Sequence, residues 1–114
     1  MDFDDLIGQT VGFYGVDCNA LCVDWPATGE RVAFEAVEDE CDGYRSCMRE
    51  LNPIPVDGKI FFGEAIAQLT VERDEELSGH RLVDASGHVW LRMGTSRWDD
   101  WYPCFTFDYD PPRA

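Results

Sequence analysis

Runs of β-branched and aromatic residues separated by short polar turns dominate the chain and predict strands. Thr10 to Val16 and Ala20 to Trp25 are two such runs, and Pro26-Ala27-Thr28-Gly29 is a turn before a third, Arg31 to Val37. Pairing outward from that turn sets Trp25 opposite Glu30, Asp24 opposite Arg31, Val23 opposite Val32 and Leu21 opposite Phe34. The apolar pairs then share one face and the opposite charges share the other, whereas a slip of one residue would mix the faces.

Residues 38–58 break the pattern. Glu38 to Gly43 is acidic and turn-like, and Tyr44 to Leu51 is expected to form two helical turns with Asp42 as N-cap. Asn52-Pro53-Ile54-Pro55 ends that segment, because each proline disfavours the helical region for the residue before it. Strands resume over Ala65 to Arg73, His80 to Ala85, His88 to Met93 and Cys104 to Tyr109, where Pro111-Pro112 forbids extension. Leu6 to Val11 resembles Phe61 to Ile66, and a strand, turn, strand, turn, strand succession follows each. The expected fold is therefore a β-rich α+β domain spanning residues 1–114: an antiparallel sheet of two similar hairpin units, consistent with internal duplication, with one short helix between them.

Composition narrows the chemistry. The chain has 114 residues, with 23 Asp and Glu against 9 Lys and Arg, for a formal net charge of −14. Binding to nucleic acid through phosphate contacts needs a basic surface, so direct nucleic-acid binding is not expected, and an anionic membrane would repel the chain. Four Trp, seven Phe and four Tyr argue for a packed core despite the charge. The N-terminus carries no positive region before an apolar run, and no stretch approaches 18 apolar residues, which points to the cytoplasm. Five cysteines are an odd number and argue against a complete disulfide framework. The spacings of Cys18 with Cys22 and of Cys41 with Cys47 miss the tight pairs of zinc fingers, so buried thiols are expected and neither a metal nor a cofactor.

Catalysis finds little support. Pairing across Ser86-Gly87 sends His80 and His88 to opposite faces, and neither a nucleophile elbow nor a phosphate-cradling glycine loop is present. The same pairing sets Ala85 opposite His88, Val83 opposite Trp90 and Arg81 opposite Arg92 on one face. Two arginines facing each other repel unless anions lie between them: the chain's own carboxylates or an external phosphate or carboxylate. Downstream, Arg97-Trp98-Asp99-Asp100-Trp101-Tyr102 puts an arginine, two acids and three aromatics in an expected loop, a composition suited to stacking or to an interaction hot spot. The candidate binding residues are therefore Arg81, Trp90, Arg92, Ser96, Arg97, Trp98, Trp101 and Tyr102.

The order Leu6-Ile7-Gly8-x-x-Val11, the element Asp39-Glu40-Cys41 and the run Gly87-His88-Val89-Trp90-Leu91-Arg92-Met93-Gly94-Thr95-Ser96 followed by aromatics resemble a family of small β-rich phage and bacterial proteins. That family is similar to the Thoeris anti-defence sponges, which sequester cyclic ADP-ribose-type signalling nucleotides and assemble as oligomers. The resemblance covers most of the chain and implies a phage or prophage origin, a homo-oligomer and a pocket that includes Ser96, Arg97 and Tyr102. Arg97 stands where the sponge pattern continues with Asn, and one cysteine stands at Cys41 where a pair is usual.

Two functions follow. The first is a non-catalytic protein that interferes with a host system by binding a basic protein partner, with carboxylates standing where nucleic-acid phosphates would sit. The second is a sponge for a cyclic nucleotide, in which Arg81, Arg92 and Arg97 hold the phosphates and Trp98, Trp101 or Tyr102 stacks on a base. An acidic domain with no special target is the plain alternative.

Overall fold

Eight strands pair into one antiparallel sheet in the computed structural model, which describes residues 2–37, 47–55, 60–61, 63–96 and 104–113. The strands are β1 (Thr10–Asp17), β2 (Ala20–Asp24), β3 (Arg31–Val37), β4 (Cys47–Leu51), β5 (Ala67–Asp74), β6 (Gly79–Val83), β7 (Val89–Ser96) and β8 (Cys104–Tyr109). Their order across the sheet is β4-β3-β2-β1-β5-β6-β7-β8. Two four-stranded meanders thus run outward from the central β1–β5 pair, where Thr10 meets Thr70 and Phe13 meets Ala67.

The β2–β3 hairpin has the expected register: Asp24 faces Arg31, Val23 faces Val32 and Leu21 faces Phe34. The expected helix over Tyr44–Leu51 is corrected. Its Asp42 cap lies outside the described residues, and Cys47–Leu51 is a strand paired with β3. The reason is tertiary: β3 leaves an edge on which Met48 joins Ala36 in the core while Arg49 reaches Glu35 across the strands at 2.7 Å. That gain outweighs a weak local preference for helix. The helix among the described residues is instead a 3-10 turn at Phe3–Leu6, capped by the Asp2 carboxylate, which accepts from the Asp4 N–H.

This turn fills the concave face of the sheet. Phe3 and Leu6 are fully buried among Val11, Phe13, Leu21, Val23, Phe34, Leu69, Val71, Leu82 and Leu91. The Phe3 ring lies edge-on to Phe34 of β3 and to His80 of β6, two strands with three others between them. Phe13 of β1 likewise reaches Trp90 and Tyr109. The sheet therefore curls around its N-terminal segment, as the accumulated twist of many strands allows. The convex face of the first meander is buried as well: Tyr14, Ala20, Cys22 and Ala33 are covered by Ile54 and Ile60 from the segment that follows β4. No described helix is long and apolar enough to cross a membrane.

Candidate functional site

The convex face of the second meander carries the predicted arginine pair. Arg81 of β6 faces Arg92 of β7, with Glu72 beyond the first and Asp108 beyond the second, so one row across four strands reads Glu, Arg, Arg, Asp. The Arg81 Nε–H donates to Glu72 at 2.9 Å. Arg92 donates through Nε and Nη2 to the two oxygens of Asp74, at 2.8 and 3.2 Å, and reaches Glu76 at 3.4 Å. Internal carboxylates thus take the place of the external anion that the sequence left open.

Asp74 anchors this arrangement. Its carboxylate is 2% exposed and also accepts from the Leu77 N–H at 3.1 Å, which folds the β5–β6 turn back over the sheet. Burial alone would raise its pKa, but the Arg92 hydrogen bonds and the Leu77 N–H outweigh that and hold it below the usual carboxylate range. Gly94 makes the fold-back possible, since a Cβ there would lie 2.3 Å from the Leu77 carbonyl oxygen.

Trp90 departs from its expected place. Val83 faces Val89, with a bulge between Leu82 and Val83 that restores Leu82 to Leu91 and Arg81 to Arg92. The cause is the turn: Asp84 N–H donates to the His88 carbonyl, Gly87 N–H donates to the Asp84 carbonyl, and Gly87 adopts a φ of +93°. Asp84 favours this loop by accepting from the N–H groups of Ser86 and His88 and from the Ser86 hydroxyl. Those bonds and the Trp90 indole draw its pKa down to about 2. Trp90 packs against the core, its ring 6.2 Å from Phe13 and its Nε1–H donating to Asp84 at 2.9 Å. It is occupied as a packing residue.

Ser96 ends β7, and Arg97, Trp98, Trp101 and Tyr102 lie outside the described residues. The two histidines have different partners. His80 is buried and its Nε2–H donates to the Asp4 carboxylate at 2.6 Å, whereas His88 Nε2 meets the Asp110 carbonyl at 2.6 Å. Cys22 is a buried thiol whose pKa burial pushes up to about 11, and Cys18 is free and exposed. Cys47 differs from the expected thiol, being disulfide-bonded. No group of three or more metal-ligating side chains occurs among the described residues.

Sequence reasoning missed two features. In the first, the Arg31 guanidinium stacks on Tyr14, 3.8 Å from the ring centroid, while the Tyr14 hydroxyl donates to Asp24 at 2.8 Å. In the second, a cleft of about 210 Å³ opens between the N-terminal turn and the β2–β3 turn, walled by Asp5, Gln9 and Trp25. The signal for the first was the Asp24–Arg31 pair; the second joins residues 20 apart in sequence and had none. The chain matches no family model, no curated protein and no solved structure.

Proposed function

We propose that this chain is a non-catalytic binding protein of phage or prophage type that engages a basic protein partner in the host cytoplasm and interferes with a defence system. Its carboxylates would occupy a surface that otherwise takes nucleic acid. The observation that carries this reading is the internal neutralisation of Arg81 and Arg92 by Glu72, Asp74 and Glu76. Exposed Asp5, Glu30, Glu64, Glu75 and Asp110 meanwhile have no ion-pair partner among the described residues, so a cationic surface would find acceptors already free. The two outward meanders are in keeping with a duplicated hairpin unit.

The test is capture from bacterial lysate by immobilised protein at about 0.05 M and about 0.3 M salt, with duplex DNA as competitor. A basic protein held at low salt, and released by salt and by DNA, is expected. Capture of nothing, or of a protein indifferent to both, overturns the proposal.

A cyclic-nucleotide sponge is the second reading. Its specific support is that Arg81 uses only Nε on Glu72, leaving its two terminal nitrogens without a partner among the described residues beside Arg92. Thermal stabilisation by a cyclic nucleotide near about 100 μM would favour it, and no shift would remove all but weak binding.

A further inference from the structure

We infer that the cleft between Asp5 and Trp25 receives a single arginine side chain of the protein partner; this rests on the basic-partner reading above. The cleft is small, at about 210 Å³. Pockets that hold drug-sized ligands run from about 300 Å³ upward, so a single side chain suits it better than a nucleotide. It is lined by Trp25, Asp5 and Gln9, which carry an indole, a carboxylate and an amide, together with Leu6, Pro26 and Ala27. None of these residues is cationic.

Two of the walls lack partners. Asp4 is engaged by His80 and Asp2 caps the turn, but the neighbouring Asp5 carboxylate has no hydrogen bond or ion pair among the described residues. The Trp25 indole N–H also has no described acceptor, in contrast to Trp90, whose N–H is taken by Asp84. The molecule builds the completed version of this arrangement elsewhere: Arg31 stacks on Tyr14 beside Asp24. In the cleft, the aromatic wall and the carboxylate are present and the guanidinium is missing. A guanidinium is favoured over an ammonium because its plane can lie on the indole while its edge donates to the carboxylate.

The experiment is an NMR titration of the full chain with the blocked tripeptide acetyl-Gly-Arg-Gly-amide and with its citrulline counterpart, read at the Trp25 indole N–H. That resonance is assigned by its loss in Trp25→Phe. Saturable movement with the arginine peptide and not with citrulline is expected. Asp5→Asn should weaken binding about threefold to fivefold, while Asp17→Asn, which removes the same charge at the end of β1 remote from Gln9 and the cleft, should leave it unchanged. Equal shifts with citrulline, or an equal loss in Asp17→Asn, overturn the inference, because the first shows no charge recognition and the second shows only the diffuse field of the chain. Lysate capture separates the two proposals: salt-sensitive capture that persists without any Trp25 response ends this inference and leaves the broader reading standing.

Discussion

The Nε2 of His80 lies 2.6 Å from a carboxylate oxygen of Asp4, while Nδ1 of the same ring is buried without a hydrogen-bond partner among the described residues. The pair ties the N-terminal turn to β6, and Phe3 lies edge-on against the imidazole. Burial depresses the His80 pKa, and the Asp4 hydrogen bond and charge only partly offset it, with Arg73 and Asp2 as the other charged groups nearby.

A depressed histidine pKa fixes the sign of the pH effect. The unfolded chain takes up the proton first, so stability is full above the unfolded value near 6.5 and declines as pH falls from there toward the folded value. Urea midpoints between about pH 7.5 and 5 should decrease with acid in the native chain. His80→Gln keeps a donor to Asp4 and does not titrate, so it should flatten that part of the curve; an unchanged slope would place the acid sensitivity elsewhere.

The two facing arginines should differ sharply in energetic weight. Arg81 and Glu72 are both about two-fifths exposed, so Arg81→Ala should cost at most about 1 kcal/mol. Arg92 holds a carboxylate that is almost wholly buried. Removing it strands that charge, so Arg92→Ala should cost about 2–4 kcal/mol by chemical denaturation, and the double variant Arg92→Ala with Asp74→Ala should recover part of the loss. Equal costs at the two arginines would contradict the burial argument.

Gly94 is required by a close approach. A Cβ at this position would meet the Leu77 carbonyl oxygen at 2.3 Å and Leu77 Cβ at 2.5 Å. Since one of these atoms is backbone, Gly94→Ala should displace the β5–β6 turn and lower stability by about 2 kcal/mol or more. Gly63→Ala, whose Cβ would meet only the movable end of the Phe61 ring, should cost less.

Thiol labelling tests the cysteine states. Cys47 is disulfide-bonded, whereas Cys18 and Cys22 are free. Alkylation of the unfolded chain without reductant should therefore label Cys18 and Cys22 and spare Cys47, which should react only after reduction. Labelling of Cys47 without reductant would contradict the bond.

Much of the fold was legible in the sequence because antiparallel hairpins are local. The Leu21–Phe34 and Val23–Val32 pairs follow from alternation around one turn, and the two-sided character of each strand is written in its residues. The arginine opposition was also legible, although the route differed: the Asp84 loop moves the register by one residue and the bulge at Leu82 and Val83 moves it back. Only tertiary structure decided the rest. Cys47–Leu51 is a strand because β3 offers an edge, and Cys22 is buried on the convex face because Ile54 and Ile60 reach it. Asp74 becomes a buried anchor because its own turn folds over Gly94, and the Asp5–Trp25 cleft exists because the N-terminal turn packs inside the curl of the sheet. Alternation records which residues can share a face. Which face is then covered, and by what, depends on contacts between segments far apart in the chain, whose free energy no local pattern contains.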